Sequence, residues 1–197
     1  MEMDRTVKTE EQTEELEKLQ KKVNRSEKSV KQYQWFIFRL VLLVVVLWVL
    51  FFKIIGLTHM PNEDMYPRID AGDLVMFYRM DTDVRAQDVI VVEKVTPDSN
   101  GEKALIISRV VAKEGDTVEI SKAGKLVING SAQMENNIFY PTPAYEEYTS
   151  YPLTLGPGEC FVLSDSREGA SDSRYFGAVS RDEIQGTVIG ILRRNHL

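Results

Sequence analysis

The side chains of this sequence that could carry out chemistry are serines, lysines and carboxylates, because cysteine and histidine are almost absent. The chain has one cysteine, Cys160, and two histidines, His59 and His196. One cysteine cannot form an intrachain disulfide or a multi-cysteine zinc site, and two histidines do not support a metal centre or a Ser-His-Asp triad. We therefore expect neither metal nor cofactor.

Four segments rich in Asp, Arg, Ser and Gly concentrate these side chains. The first reads Asn62-Glu-Asp-Met-Tyr-Pro-Arg-Ile-Asp-Ala-Gly-Asp73, and the second reads Asp88-Val-Ile-Val-Val92. The third, Ser108-Arg-Val-Val-Ala-Lys-Glu-Gly-Asp-Thr-Val-Glu-Ile120, is followed by Leu126-Val-Ile-Asn-Gly130. The fourth reads Ser164-Asp-Ser-Arg-Glu-Gly-Ala-Ser-Asp-Ser-Arg-Tyr-Phe-Gly177. Their acids and arginines suit ion pairs and their glycines suit turns, so a folded frame must bring them together.

Short runs of β-prone residues must supply that frame. The runs are Leu74–Tyr78, Val89–Val92, Leu105–Val111, Thr117–Ile120, Lys125–Ile128, Glu159–Leu163 and Gly186–Leu192. Turn residues such as Asn129-Gly130 and Gly156-Pro-Gly158 separate them. No helical period of ten or more residues occurs between these runs. The sequence therefore predicts a mainly β fold, either a folded sheet or a small barrel.

A long apolar segment, residues 35–57, precedes the β region. A helix needs about 20 apolar residues to cross the hydrocarbon layer of a bilayer, and this segment supplies them. Its internal charge, Arg39, lies near the N-terminal end, from which a long side chain can reach the interface. The long charged region before the segment and the lack of a small-x-small site after it argue against a cleavable signal peptide. We interpret 35–57 as a transmembrane helix.

Charge on either side of this helix predicts its orientation. Residues 18–34 hold six Lys/Arg and one acid, whereas residues 53–197 hold 15 Lys/Arg and 22 Asp/Glu. Cytoplasmic flanks are enriched in Lys and Arg, so residues 1–34, a charged and helical segment, are expected in the cytoplasm. Residues 58–197 are then expected outside a cell membrane that the chain crosses once. The net charge of −6 argues against nucleic acid as a partner.

The four segments, in this order behind an N-terminal anchor, resemble those of type I signal peptidases. These are membrane-anchored Ser/Lys endopeptidases that remove secretory signal peptides. The segments are similar to S-G-x-S-M-x-P-T-L…G-D, to D-I-V-V, to K-R-V-I-G-L-P-G-D-x-V-E-I with V-N-G, and to G-D-N-R-x-x-S-x-D-S-R-x-F-G. The resemblance implies a signal-peptidase-like β domain over 58–197 with a variable cap region at about 112–160.

Each side chain that the resemblance would assign to catalysis is changed in this chain. Asp64 stands at the serine nucleophile and Ser108 at the lysine base. Asn62 stands at the serine that supports the oxyanion, and Ala170 at the serine that orients the lysine. A carboxylate has no hydroxyl proton to surrender and a serine cannot act as a base near neutral pH, so no catalytic residue is expected to be intact.

Other family positions are kept or changed more mildly. Arg68 stands where threonine is usual, Gln87 where glycine is common, and Ser164 at the first glycine of the last segment. The resemblance implies a peptide-binding cleft and a scaffold motif that persist without catalysis. The cleft residues are Met65, Tyr66, Pro67, Arg68 and Arg109. The scaffold residues are Asp165, Arg167, Asp172, Ser173 and Arg174. We expect Asp64 to be neutralised by Arg109, Arg68 or Lys94.

The pattern of losses resembles that of catalytically inactive signal-peptidase-like accessory proteins from the pilus gene clusters of Gram-positive bacteria. That resemblance implies a chaperone or scaffold in sortase-dependent pilus assembly. It also implies the membrane, pilin subunits and a pilus sortase as partners, with a peptide segment in the cleft.

The alternative is an endopeptidase with a rewired active site. Its bases would be Lys94, Lys103 or Lys113. Its nucleophiles would be Ser108, Ser121, Ser166, Ser171 or Ser173. A third arrangement would pair Asp64 with Asp165 or Asp172, although the flanking residues lack the D-T/S-G loop of aspartic peptidases.

A tyrosine-rich stretch in the cap region offers two further interpretations. Tyr140, Tyr145, Tyr148 and Tyr151 lie in a predicted loop. Exposed tyrosine is favoured at protein interfaces, so the loop could contact a partner. We favour the other interpretation, in which the loop packs its own aromatic rings onto the sheet.

Overall fold

A computed structural model describes residues 22, 30–97, 99–135, 138 and 140–193. The first element is a helix, α1 (Val30–Ile54), whose last residues, Leu50–Ile54, wind as a π-helix. The helix is long and apolar enough to cross a membrane, and its side chains are exposed. Length and composition of this kind fit a membrane anchor or a signal sequence. Apart from Lys22 and the start of α1, the charged segment 1–34 lies outside the described residues.

The first strand, β1 (Ile55–His59), follows the helix without a linker. It runs antiparallel to β2 (Leu74–Tyr78), and Gly56 lies so close to the ring of Phe77 that a Cβ atom would not fit. The predicted helix boundary at residue 57 therefore falls inside a strand and is wrong. The physical reason is the pairing with β2, which the uninterrupted apolar run does not reveal.

The larger sheet has seven strands in the order β1-β2-β11-β3-β4-β9-β10. Every neighbouring pair in it is antiparallel. The remaining strands of this sheet are β3 (Val89–Val95), β4 (Lys103–Lys113), β9 (Glu159–Leu163), β10 (Val179–Ser180) and β11 (Ile184–Leu192). The mainly β fold predicted from the sequence is confirmed.

A second, smaller sheet is formed by part of the predicted cap region. Its order is β7-β6-β5-β8. The strands are β5 (Thr117–Ile120), β6 (Leu126–Ile128), β7 (Ser131–Ala132) and β8 (Leu153–Thr154). The tyrosine-rich loop connects β7 to β8. Between β9 and β10 lies a single helical turn, α2 (Ser173–Phe176), which is capped at its N-terminus by Asp172 of the fourth sequence segment.

Apolar side chains cover both faces of the larger sheet because successive residues of a strand point to opposite sides. Ile90 packs with Val110 and Val162 in one buried cluster, whereas its neighbour Val91 packs with Ile107 in another. A third cluster joins the larger sheet to the smaller one, through residues that include Val118 of β5 and Phe161 of β9. The four polar segments thus begin or end on strands that are fixed by packing on two sides.

Candidate functional site

Asp64, at the position of the family nucleophile, lies in the turn between β1 and β2. Its carboxylate accepts a hydrogen bond from the Asn62 side-chain amide at 2.9 Å and a longer one from the Ser171 N–H at 3.4 Å. Its backbone carbonyl accepts from the Ser166 N–H at 2.8 Å. The structure therefore brings Asn62 and Asp64 against the loop that carries Ala170, itself 4% exposed.

The Asp64 carboxylate is partly buried and has none of the arginine or lysine partners expected from the sequence. Burial raises its pKa, while the hydrogen bonds from Ser171 and Asn62 oppose that rise. Arg109 instead pairs with Asp165, and Lys94 pairs with Glu183. The expectation that Arg109, Arg68 or Lys94 neutralises Asp64 is wrong, because these arginine and lysine residues have nearer partners or are turned to solvent.

This environment predicts a pH-dependent effect for Asp64→Asn. A carboxyl with a raised folded-state pKa contributes stability below its unfolded pKa and loses it as the pH rises through the folded value. The amide cannot ionise, so we expect Asp64→Asn to raise the melting temperature at pH 7 by about 1–3 °C. The gain should shrink towards pH 3, as measured by thermal unfolding of the full chain in detergent.

The matched control is Glu63→Gln, which removes the same charge from an exposed neighbouring side chain. It should leave the melting temperature within about 1 °C at both pH values, as surface substitutions usually do. An equal gain for both variants would attribute the effect to net charge. A loss of stability for Asp64→Asn at pH 7 would contradict the role of burial.

Ser108, at the position of the family lysine, lies in the middle of β4 and is fully buried. Its neighbour Arg109 pairs with Leu163 of β9. Ser164 follows Leu163 directly, just after the end of β9, and is also fully buried. Within the described part of the chain, neither hydroxyl has a hydrogen-bond partner. Two small side chains thus occupy the place where a family member has lysine and glycine.

The candidate lysine bases are directed elsewhere. Lys94 lies four residues along β3 from Ile90, the partner of Ser108, which is about 13 Å of strand. Its amine donates to Glu183 and to the Ala178 carbonyl. Lys103 is exposed and pairs with Glu93. Among the described residues, no hydrogen bond joins a candidate lysine to a candidate serine.

The proposed aspartic pairs do not form either. Asp165 is held by Arg109 at 2.6–2.8 Å, and Asp172 is held by Arg174 at 2.7–2.8 Å. Among the described residues, neither of these carboxylates forms a hydrogen bond with Asp64. In the part of the chain that the structure describes, no group of three His, Cys, Asp or Glu side chains is placed to hold a metal ion.

The scaffold residues build a buried network behind the site. Asp172 and Arg174 are both fully buried, and Asp172 also accepts the N–H groups of Ser164 and Arg174. Arg174 continues the network by donating to the Arg167 carbonyl at 2.7 Å. The Ser173 hydroxyl accepts the Val162 N–H at 2.9 Å, which ties α2 to β9. These contacts fix the loop that faces Asp64.

The proposed cleft residues separate into buried and exposed groups. Met65 is fully buried in the cluster that includes Val91 and Ile107. Its assignment to a cleft surface is wrong, because an apolar side chain at this turn completes the core. Tyr66, Pro67 and Arg68 are exposed on the same turn. Arg109 lines two cavities, although its guanidinium is occupied by Asp165 and the Gln87 carbonyl.

The tyrosine loop divides in the same way. Tyr145 places its ring against the Arg174 guanidinium, and its hydroxyl accepts the Gly169 N–H at 3.0 Å. Tyr151 packs edge-on against Phe161. Both side chains are half-buried by these contacts. Tyr140 is 70% exposed and Tyr148 48%, so they remain available to a partner.

Sequence reasoning missed two residues beside this site, Glu135 and Thr142, which both bind the buried Arg167. Both residues lie in the loop between β7 and β8, outside any strand and outside the four sequence segments. No motif therefore marks them. Gly124, whose carbonyl accepts the Thr142 N–H, could have been found as a turn glycine with a positive φ. The cap region is thereby tied to the scaffold loop.

Known proteins resemble this chain along most of its length. Residues 30–192 match the family described as signal peptidase, peptidase S26. Thylakoidal processing peptidase 1 of Arabidopsis thaliana is 33% identical over 139 residues, which cover 64% of this chain and 38% of that protein. Signal peptidase I of Leptolyngbya laminosa is 27% identical over 137 residues, covering 66% of this chain and 65% of the relative.

A solved signal peptidase I from Enterococcus faecalis V583 is 26% identical, with a TM-score of 0.42, and covers 54% of this chain and 97% of that structure. The chain spans between about a third and three fifths of the length of the first curated relatives it matches. Because the family match covers most of the sequence, the chain belongs to the signal peptidase family, peptidase S26.

Proposed function

We propose that this signal peptidase homologue binds a peptide or protein segment without cutting it. The observation that carries the proposal is the pair Asp64 and Ser108 at the positions of the nucleophile and the base. A carboxylate cannot be activated by deprotonation in the way that a hydroxyl is, and a buried hydroxyl cannot accept its proton. The scaffold network that positions the cleft is nevertheless complete around Arg174 and Asp172.

The alternative function is an endopeptidase with a rewired active site, because the relatives are named as peptidases. It would require a serine and a lysine, or two aspartates, to meet on substrate binding. Among the described residues, Lys94, Lys103, Asp165 and Asp172 already have ion-pair partners, whereas Asp64 and Lys113 do not. This distribution favours binding without cleavage.

The proposed setting is sortase-dependent pilus assembly, with pilin subunits and a pilus sortase as partners. It rests on the resemblance of the degenerate segments to those of inactive accessory proteins. The exposed Tyr140 and Tyr148 of the cap loop support a protein-contact role, since tyrosine gives large contact area at low entropic cost. A sortase and a pilin with an LPxTG-type signal encoded next to this protein would be the most informative genomic observation.

The direct test incubates the detergent-solubilised full chain with a preprotein that carries a signal peptide. We expect the preprotein to remain uncut while an active signal peptidase cuts it under the same conditions. Product formed by the unmodified chain, and abolished by changing one of the candidate serines, would establish the alternative.

A second test separates the two proposed contact surfaces in cells that assemble pili. Tyr66→Ser alters the turn beside Asp64, and the double change Tyr140→Ser and Tyr148→Ser alters the cap loop; all three side chains are exposed. We expect the turn variant to reduce pilus polymerisation while both proteins keep their melting temperature. If only the loop variant loses pilus polymerisation, the partner binds at the cap loop and not at the turn beside Asp64. Full polymerisation with both would contradict the role of this domain.

We also propose that α1 anchors the protein with residues 1–34 in the cytoplasm and 58–197 outside. The support is the excess of Lys and Arg before the helix and of acids after it. Protease added to intact protoplasts should degrade the β domain while a cytoplasmic marker survives. Survival of both would contradict this orientation.

A further inference from the structure

Arg68 is a cation without a carboxylate partner among the residues that the structure describes. Its side chain is exposed, and its backbone is held in place because Arg68 N–H donates to the Met65 carbonyl and its own carbonyl accepts from Arg193. A guanidinium on an anchored turn presents its donors in a planar fork that matches a carboxylate. The turn therefore offers a fixed positive group to the solvent beside the site.

Gln87 faces the same place from the turn before β3, and its backbone is strained. Its φ is +78°, in the left-handed region that non-glycine residues rarely adopt. The conformation is enforced, since its N–H donates to the Val110 carbonyl and its carbonyl accepts from Arg109. Glycine is common at this position in the family, so the side chain is retained despite a conformational cost. Strain of this kind is typical of functional positions.

Arg68, Gln87 and Arg109 line two adjoining cavities of about 220 Å³ and about 340 Å³. In the smaller cavity, Arg109 and Arg167 are each neutralised by a carboxylate. The larger cavity has an apolar wall from β11, where Ile189 is 55% exposed and Ile191 40%. Asp88 also lines the larger cavity, and its carboxylate accepts the Arg85 backbone N–H. Among the described residues, the guanidinium at the junction that has no carboxylate partner is that of Arg68, which shares both cavities with Gln87.

We propose that Arg68 and Gln87 form a specificity pocket for the carboxylate side chain of an extended segment in a partner protein. Its apolar neighbours would lie along the β11 wall. The guanidinium would bind the carboxylate through paired hydrogen bonds and the Gln87 amide would add a further donor. This inference rests on the proposed function, that the domain holds a segment without cutting it.

A protein segment fits this pocket better than an anionic lipid does. A headgroup carries its charge within an extended negative membrane surface. Residues 53–197 carry 15 Lys/Arg against 22 Asp/Glu, which disfavours approach to such a surface. A single carboxylate within an otherwise apolar segment avoids that cost.

The experiment selects peptides from a phage-displayed library of random heptapeptides on the detergent-solubilised full chain. The best peptide is then synthesised with its acidic residue and with the matching amide. We expect Asp or Glu to be enriched at one position, and the amide peptide to bind about tenfold more weakly, the loss of one charged hydrogen-bonding pair.

Two variants assign that loss to the pocket. Arg68→Thr should weaken the acidic peptide about tenfold and abolish the preference over the amide peptide. Gln87→Gly should weaken it several-fold without lowering the melting temperature, since glycine relieves the positive φ. Arg85→Thr is the matched control for Arg68→Thr. Arg85 is an exposed arginine in the turn that contains Gln87, and it is absent from the walls of both cavities. It should bind as the unmodified chain does.

The outcomes separate this inference from the proposed function. Selected peptides without acidic enrichment, or an acidic preference that survives Arg68→Thr, would overturn the pocket while binding itself stands. Cleavage of the selected peptides would overturn the proposed function. Displacement of the acidic peptide by phosphatidylglycerol micelles, from the unmodified chain but not from Arg68→Thr, would assign the pocket to a lipid headgroup and overturn the inference. Failure to select any peptide would overturn both.

Discussion

Asp172→Ala should destabilise the β domain by about 3–5 kcal/mol, because it leaves the Arg174 guanidinium buried without its counter-charge. Both side chains of this pair are fully buried, and the two hydrogen bonds between them are 2.7–2.8 Å long. Removing a partner from such a pair is far more costly than the pair's net contribution, since one charge is stranded away from water. In a domain of this size the loss corresponds to about 6–20 °C in melting temperature.

Asp172→Ala would also remove two hydrogen bonds that the carboxylate accepts from backbone N–H groups. It caps α2 by accepting the Arg174 N–H, and it accepts the Ser164 N–H. We therefore expect the loop that carries Ala170 and Ser171 to loosen before the domain unfolds. Hydrogen exchange should report faster exchange at the Ser164 and Ser171 amides in a partly destabilised variant such as Asp172→Asn.

Two controls test whether the loss of stability comes from the buried, unpaired charge. Lys103→Met breaks a pair whose side chains are 62% and 39% exposed, and exposed pairs contribute about 0–1 kcal/mol. The double change Asp172→Ala with Arg174→Met should cost less than the sum of the single changes, because it strands no charge. A loss below about 1 kcal/mol for Asp172→Ala would contradict the buried-pair argument.

The sequence predicts a strand's position well where one face of the strand is buried and turn residues flank both of its ends. The runs at Leu74–Tyr78, Thr117–Ile120 and Glu159–Leu163 have the bounds that the sequence predicts. β1 was not predictable, because Ile55 continues the apolar run of α1 and only its pairing with Tyr78 makes it a strand. Local pattern indicates an element, but long-range pairing decides where one element ends and the next begins.

Side-chain direction was harder to predict than strand position. Met65 and Tyr66 are adjacent, yet the first completes the core and the second is exposed. Tyr145 turns inward because its backbone adopts a positive φ of +51° and Arg174 lies beneath its ring. Neither outcome follows from residue type, since methionine and tyrosine are common both in cores and at interfaces. The residue types at Asp64 and Ser108, by contrast, can be taken directly from the sequence.

On the proposed function, we expect full peptidase activity only when four positions change together. The changes Asp64→Ser, Ser108→Lys and Ala170→Ser supply a nucleophile, a base and a group to orient that base. Ser164 is nevertheless buried and follows Leu163, the β9 partner of Arg109, so we expect its side chain to obstruct the stem of a lysine at position 108. Adding Ser164→Gly leaves room for the side chain, and burial of the amine would lower its pKa towards the neutral base that the reaction needs.

We expect the fourfold variant to cut a preprotein at least tenfold faster than the threefold variant that keeps Ser164, measured as product formed per hour in detergent. General-base catalysis typically contributes about 10²–10⁴-fold, so a lysine displaced by a clash would lose most of it. The matched control replaces Ser108→Lys by Ser108→Met, which has a similar stem and no amine, and it should be inactive. Equal rates for the threefold and fourfold variants would show that Ser164 does not obstruct the lysine. A folded but inactive fourfold variant would show that the frame around Arg174 no longer presents a substrate to position 64, and would place the loss of function in the cleft as well as in the missing side chains.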